Sequence, residues 1–190
     1  MAARVLILPG YGNSGPAHWQ TRWQQRHADF ARVQQRDWHH PVSSEWIAAL
    51  DVAVANAAPG VIVVAHSLAC LAVAQWATTL TASGTATAPP SRIAGALLVA
   101  PPDPTGTNFP AQALGFNALP HNVLPFPTVV VVSNDDPYDQ HHRGTFWATQ
   151  WGSRLVCLAG AGHINSDSGL GDWPAGFALL AEFGYPGGGV

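Results

Sequence analysis

The segment VIVVAHSLA at positions 61–69 joins a wholly apolar run to a tight turn of small residues. Because Val61–Ala65 carries no polar side chain, it predicts a strand buried on both faces, as in a parallel sheet that is covered by helices. A largely apolar stretch from Leu68 to Leu80 follows at once and predicts a helix. A buried strand that turns sharply into a helix is the building unit of α/β proteins.

The same alternation of strand and helix continues in both directions along the chain. Trp19, Trp23 and His27 recur at spacings of four, which places them on one face of a helix. The predicted strands cover 5–8, 32–35, 61–65, 93–100, 128–132 and 154–158, and the predicted helices cover 16–28, 44–57, 68–80, 140–150 and 173–183. This order predicts one α/β domain over residues 1–190, with a compact three-layer α/β/α structure, five or six mainly parallel strands and little or no lid.

Three segments lack such periodicity. The Thr-, Ala- and Pro-rich residues 81–91 predict an exposed loop, and the Gly-rich residues 187–190 predict a frayed tail. Residues 101–125 are rich in Pro, Gly and Asn. They predict either a variable loop or a small cap over a site.

Composition excludes several classes of protein. Hydrophobic residues make up 47% and charged residues 10% of the chain, which is far from the charge-rich composition of disordered proteins. The net charge is −3 and Lys and Arg form no cluster, so neither a nucleic acid nor a membrane surface is expected as a partner. No apolar run approaches the roughly 20 residues that span a bilayer, and the first residues lack the pattern of a signal peptide. We therefore expect a cytoplasmic protein.

No metal or other cofactor is expected. The adjacent histidines at 39–40 and 141–142 lack a Cys or acidic partner at a recognised zinc spacing. The Gly-rich residues 10–15 lack the sequence pattern of a phosphate-binding loop. Cys70 and Cys157 form no motif and are expected to be two buried thiols. The sequence leaves open whether the protein is a monomer or a small homo-oligomer.

The residues that can carry chemistry follow the strong strands. Parallel sheets place their ligands at the carboxyl ends of the strands. Ser67 follows one strand, Asp135 and Asp136 follow another, and His163 comes after the last. A nucleophile, an acid and an imidazole in this chain order are typical of α/β-hydrolases. Asp103, after a further strand, is a reserve acid.

The turn at Ser67 has the features that a nucleophile needs. It is a crowded strand-to-helix turn, so the flanking residues must be small, and here they are Ala65 and Ala69. The Leu68 N–H, at the start of the following helix, is one predicted oxyanion donor. The Tyr11 N–H, on the Gly-rich loop after the first strand, is the other.

His163 is the predicted general base, and an acid must hold its imidazole in the correct tautomer. Asp135 and Asp136 both remain candidates for this acid, and Asp136 is preferred because Pro137 fixes the turn beyond it. The predicted pocket residues lie close to these loops in the sequence. They are Gly10, Gly12, Asn13, His18, His66, Tyr138 and Trp173.

Several longer blocks of the chain resemble one family of enzymes. These blocks are PGYGNSGPAHWQ at 9–20, AHSL at 65–68, SNDDPY at 133–138, GHIN at 162–165, SGLG at 168–171 and WP at 173–174. They are similar to the YdeN-like, retinoblastoma-binding-protein-9-like serine hydrolases, a branch of the α/β-hydrolases, along nearly the whole chain. The chain departs from that family at Ala69, where the family usually has Gly.

The resemblance implies a catalytic triad of Ser67, Asp136 and His163 on a compact fold. It implies a reaction type, the hydrolysis of an ester, thioester or amide through an acyl-Ser67 intermediate, and no particular metabolite. A small-molecule acyl substrate is therefore the expected partner. The alternative is a protein that keeps the fold and binds another protein without catalysis, since a fold does not determine a function.

Overall fold

The computed structural model of the protein describes residues 2, 4–81 and 90–186. The loop predicted for 81–91 lies largely outside these residues, and the tail predicted for 187–190 lies wholly outside them. In the described part, six strands alternate with five α-helices. The strands are β1 (Val5–Leu8), β2 (Phe30–Arg32), β3 (Val61–His66), β4 (Ile93–Val99), β5 (Thr128–Ser133) and β6 (Arg154–Leu158). The helices are α1 (Trp19–Arg26), α2 (Ser43–Asn56), α3 (Leu68–Thr81), α4 (Arg143–Gln150) and α5 (Pro174–Ala178).

All six strands lie in one parallel sheet with the order β2-β1-β3-β4-β5-β6. The central strand β3 aligns Val63 with Leu6 of β1 and Val64 with Leu97 of β4. The first strand, β1, thus lies next to the edge strand β2, and β3 to β6 follow in chain order on its other side. Because the strands are parallel, the loops after β1, β3, β5 and β6 emerge at the same edge of the sheet.

Helices cover both faces of the sheet, which confirms the predicted three-layer α/β/α fold. Side chains alternate along β3, so that Val63 and Ala65 belong to one buried cluster while Ile62 and Val64 belong to the other. The first cluster contains side chains of α2, α3 and α4, and the second contains those of α1 and α5. Burying each large apolar side chain of this kind stabilises the fold by about 1.5–3 kcal/mol. The apolar strands therefore fix the position of the loops that follow them.

Two helices begin later than predicted, because polar side chains cap their first turns. α1 begins at Trp19 rather than at residue 16, since His18 has an extended backbone and its Nδ1 accepts a main-chain N–H of the first turn at 3.2 Å. α4 begins at Arg143 rather than at residue 140, since the buried Asp139 carboxylate accepts a main-chain N–H there at 3.1 Å. The predicted closing helix divides into α5 and a 3₁₀ turn.

The edge strands differ most from the prediction. β2 covers Phe30–Arg32 rather than 32–35, because the buried Phe30 aligns with Val5 of β1 while Gln34 is exposed beyond the strand. On the opposite edge, β6 has one neighbouring strand, and it exposes Arg154 and Cys157 while burying none of its side chains fully. The prediction of two buried thiols is therefore wrong for Cys157, which is exposed, and correct for Cys70.

In the described residues, every helix is too short or too polar to cross a membrane. The cytoplasmic location, the single-domain extent over 1–190 and the oligomeric state stay predictions from the sequence.

Candidate active site

Ser67 lies on a strained turn between β3 and α3. Its φ of 56° is in the left-handed region, which costs a residue with a side chain about 1–3 kcal/mol and is a recurring feature of active sites. The turn is held because the Ser67 N–H donates to the Val99 carbonyl of β4 at 2.8 Å. Ala65 and Ala69, which flank the turn, are fully buried. The backbone therefore presents the Ser67 side chain at the edge of the sheet.

The Ser67 hydroxyl is hydrogen-bonded to an imidazole. His163 follows β6, and its Nε2 lies 2.8 Å from Ser67 Oγ. Its Nδ1 lies 2.9 and 2.8 Å from the two carboxylate oxygens of Asp136, which is buried. A carboxylate accepts and does not donate, so Nδ1 carries the proton and Nε2 is free to accept the Ser67 proton. The structure thus brings three of the predicted residues into one continuous chain of hydrogen bonds.

The geometry favours Asp136 over Asp135 as the partner of His163. The Asp135 carboxylate accepts hydrogen bonds from Ser133 Oγ at 2.6 Å and from the Gly162 N–H at 2.8 Å. These two bonds hold the pKa of Asp135 below its usual value. Asp135 therefore ties the loop that carries His163 to the end of β5, and its neighbour faces the imidazole.

The reserve acid, Asp103, has another partner. Its fully buried carboxylate lies 2.6 Å from Nδ1 of His141, on the loop before α4, and accepts the Thr105 hydroxyl at 2.7 Å. The structure thus places Asp103 in a separate pair that joins two surface loops.

Two main-chain N–H groups are available for a negatively charged oxygen. Leu68 is the first residue of α3, so its N–H has no acceptor inside the helix. Neither this N–H nor that of Tyr11 has an acceptor among the described residues. Gly10 brings the Tyr11 loop against the nucleophile, since a Cβ atom at Gly10 would lie only 2.7 Å from Ser67 Cβ. The start of a long helix also favours negative charge at this point.

A cleft of about 460 Å³ opens in front of the Ser67 side chain. Four of the predicted pocket residues line it, namely Asn13, His18, His66 and Tyr138. The predicted oxyanion donors Tyr11 and Leu68 line it too. Further walls come from Pro102, Asn108, Pro110 and Gln112 on one side and from Asn165, Ser166 and Asp167 on another. Residues 101–125 therefore supply one wall of the cleft, although they contain no helix.

Three predicted pocket residues do not line the cleft. Trp173 is buried, and its ring lies 5.0 Å from that of Trp19 in the core cluster beneath the loop. Gly10 packs against the nucleophile turn instead, and the Gly12 N–H donates to the Trp38 carbonyl. Proximity in the sequence to the catalytic loops does not place Trp173 in the cleft, because its ring packs against Trp19 and Trp23 in the core.

Two further histidines lie beside the hydrogen-bonded chain, and both are neutral at pH 7. Burial, followed by the charges of Arg32 and His163, lowers the pKa of His18 to about 3. Burial is also the main reason why the pKa of His66 lies well below its usual value. Because the two neighbouring imidazoles are uncharged, they do not repel a positive charge that forms on His163 during a reaction.

This fold and this geometry define a class of protein. The protein is an α/β-hydrolase by its fold and by the order of these residues. Its parallel sheet carries a serine on a left-handed strand-to-helix turn, a histidine after the last strand and an acid after the preceding strand.

Comparison with known proteins identifies the family within this class. The sequence model of the family described as "Serine hydrolase" matches residues 5–182. A YdeN-like hydrolase from Pectobacterium atrosepticum is 30% identical, with a TM-score of 0.77 over 96% of this chain and 90% of that chain. The ydeN gene product of B. subtilis is 20% identical, with a TM-score of 0.78 over 95% and 98%. Thermogutta terrifontis esterase 2 shares the fold at 15% identity, with a TM-score of 0.68 over 98% and 85%. No match was found among curated proteins.

The chain therefore belongs to the serine hydrolase family, and its resemblance to the YdeN-like hydrolases is confirmed. Membership of this family supports a hydrolytic function.

Proposed function

We propose that the protein hydrolyses an ester, thioester or amide of a small molecule through an acyl-Ser67 intermediate, as a carboxylesterase-like enzyme. One observation carries this proposal. Ser67 Oγ, the His163 imidazole and the Asp136 carboxylate form an unbroken chain of hydrogen bonds at 2.8–2.9 Å, with the hydroxyl at the floor of a cleft. Such distances are those required for proton transfer from a nucleophile to a general base.

The proposed reaction has two halves. In the first, His163 Nε2 takes the Ser67 proton while Oγ attacks the acyl carbonyl carbon, and the carbonyl oxygen becomes an anion beside the Tyr11 and Leu68 N–H groups. The imidazolium, stabilised by Asp136, then protonates the leaving alcohol, thiol or amine as its bond to the acyl carbon breaks. In the second half, water attacks the acyl-serine, giving its proton to Nε2. The carboxylic acid leaves and Ser67 regains its proton.

The cleft favours an uncharged substrate of modest size. Among the described residues, none that lines it is Lys or Arg, and the chain contains no Lys at all. The exposed Asp167 is the acidic residue on its wall outside the hydrogen-bonded chain. A substrate with a carboxylate or phosphate beside its acyl carbon would therefore meet no opposite charge. The amide side chains Asn108, Gln112 and Asn165 offer hydrogen bonds to neutral polar groups instead.

An activity-based probe tests the proposal directly. A fluorophosphonate should label the wild-type protein, and the Ser67→Ala variant should not be labelled. Ser166→Ala is the matched control, because Ser166 is an exposed serine on the wall of the same cleft, and this variant should be labelled like the wild type. Absence of labelling in the wild type, or equal labelling of Ser67→Ala, would contradict the proposal and favour a non-catalytic binding protein.

A series of p-nitrophenyl esters tests the size of the acyl group. We expect kcat/KM to be highest for short acyl chains, since the cleft is small and its walls carry polar side chains. A steady rise in kcat/KM toward long chains would contradict a short-acyl preference while leaving the nucleophile assignment intact.

A further inference from the structure

His66 is a buried histidine that the proposed reaction does not use. It is the last residue of β3, directly before Ser67, and only 5% of its surface is exposed. Its ring lies 4.9 Å from the His163 ring and 4.7 Å from the His18 ring. A buried polar ring at this position needs a hydrogen-bond partner.

The partner of His66 is the backbone of His163. The Nε2 atom of His66 lies 2.9 Å from the His163 main-chain oxygen. A carbonyl oxygen only accepts hydrogen bonds, so Nε2 must carry the proton and donate it. The titratable groups that face this ring, His18 and His163, both disfavour a second proton on it. The ring is therefore a neutral donor with one defined tautomer.

The loop that carries His163 depends on bonds of this kind. Gly162 and Ile164, on either side of His163, have φ values of 53° and 50°, and a non-glycine residue in that region is strained. Each of the three residues is held by a side chain from another element. Asp135 accepts the Gly162 N–H at 2.8 Å, and Trp19 Nε1 donates to the Ile164 carbonyl at 2.8 Å. His66 supplies the bond to the residue between them.

We infer that His66 is a positioning residue whose Nε2–H holds the His163 carbonyl and thereby sets the distance between Ser67 Oγ and the imidazole that removes its proton. Because His66 and Ser67 are adjacent at the end of one strand, a single rigid element carries the nucleophile and the anchor of its base. This inference rests on the proposed function. A displacement of about 1 Å at such a site costs roughly a hundredfold in rate.

Three substitutions at position 66 distinguish the effect of the hydrogen bond from the effect of side-chain packing. In Gln the amide nitrogen is the same number of bonds from Cα as His Nε2, so His66→Gln can still reach the carbonyl. His66→Asn carries the same amide one bond too short, and His66→Leu fills the space without a donor. We expect kcat for p-nitrophenyl acetate to fall about threefold in His66→Gln and about 30- to 100-fold in the other two. KM should stay within about threefold of wild type in all three.

Two further measurements make the outcome decisive. The rate of labelling by a fluorophosphonate should follow the same order as kcat, because it also needs His163 as the base. Thermal unfolding of the three variants reports any loss of packing. The inference would be overturned if kcat fell equally in the Gln and Leu variants, or if the substitutions changed only KM or only Tm. In that case, labelling of the wild type at Ser67 would still support the proposed function. If the wild type shows no Ser67-dependent labelling, both fail together.

Discussion

Replacing Asp136 with Asn gives a sharp test of the hydrogen-bonded chain. Both Asp136 oxygens lie within 2.9 Å of His163 Nδ1, so one rotamer of an Asn amide would turn its NH₂ group toward that nitrogen. The amide would donate to Nδ1, which moves the imidazole proton to Nε2 and removes the acceptor for Ser67. The change of tautomer should lower kcat about 10³- to 10⁴-fold, equivalent to about 4–5.5 kcal/mol in the barrier.

The neighbouring residue provides a matched control. Asp135→Asn removes the same charge one residue away, but its amide oxygen can still accept from Ser133 Oγ and the Gly162 N–H. We expect its kcat to stay within about threefold of wild type. The pair of variants therefore distinguishes the loss of a negative charge near the cleft from the loss of the His163 partner.

The assay is the steady-state hydrolysis of p-nitrophenyl acetate, together with the second-order rate of fluorophosphonate labelling. Thermal unfolding of both variants ensures that folded proteins are compared. The reasoning is refuted if Asp136→Asn keeps more than about a tenth of wild-type kcat, or if Asp135→Asn loses as much as Asp136→Asn.

Three other substitutions follow from the same structure. Gly10→Ala should lower kcat about a hundredfold, because its Cβ would lie 2.7 Å from Ser67 Cβ, and unchanged turnover of p-nitrophenyl acetate would contradict the close approach. The pKa of His18 is lowered to about 3 in the folded protein, whereas the unfolded chain protonates this residue below about pH 6.5. Its contribution to stability is therefore fully present above pH 6.5. As the pH falls toward 3, the free energy of unfolding should decrease by up to about 1.4 kcal/mol per pH unit. His18→Asn keeps a capping oxygen and should flatten this dependence in urea unfolding, whereas an unchanged slope would show that other groups cause it. Gly95→Ala would place a Cβ 2.1 Å from the Phe183 ring and should cost about 1–3 kcal/mol of stability, with partial recovery when Phe183→Leu is added.

Much of the fold could be predicted because its central strands are buried on both faces. β3 and β5 each contain an unbroken run of four or five apolar residues, and the structure begins each strand at the predicted residue. The edges gave a weaker signal. β2 is three residues long and buries only Phe30, so its apolar pattern was too short to fix its boundaries.

The candidate site was located by chain order and sheet topology, since Ser67, Asp136 and His163 each follow a strand in one parallel sheet. The choice between two adjacent aspartates could not be made in the same way, because it depends on which carboxylate faces His163. The wall residues Asn108 and Gln112 come from a segment without periodicity, and only tertiary contacts bring them to the cleft. The Pro- and Gly-rich composition of that segment was the available signal.

The left-handed backbone of Ser67 has a consequence for how this protein can evolve. Glycine would adopt the same φ without a side-chain penalty, so Ser67→Gly should unfold at a higher temperature than the wild type while losing all acyl transfer. Selection for stability alone would favour glycine at this turn. A serine at this turn therefore lowers the stability of the fold relative to glycine, as expected if position 67 carries the proposed nucleophile.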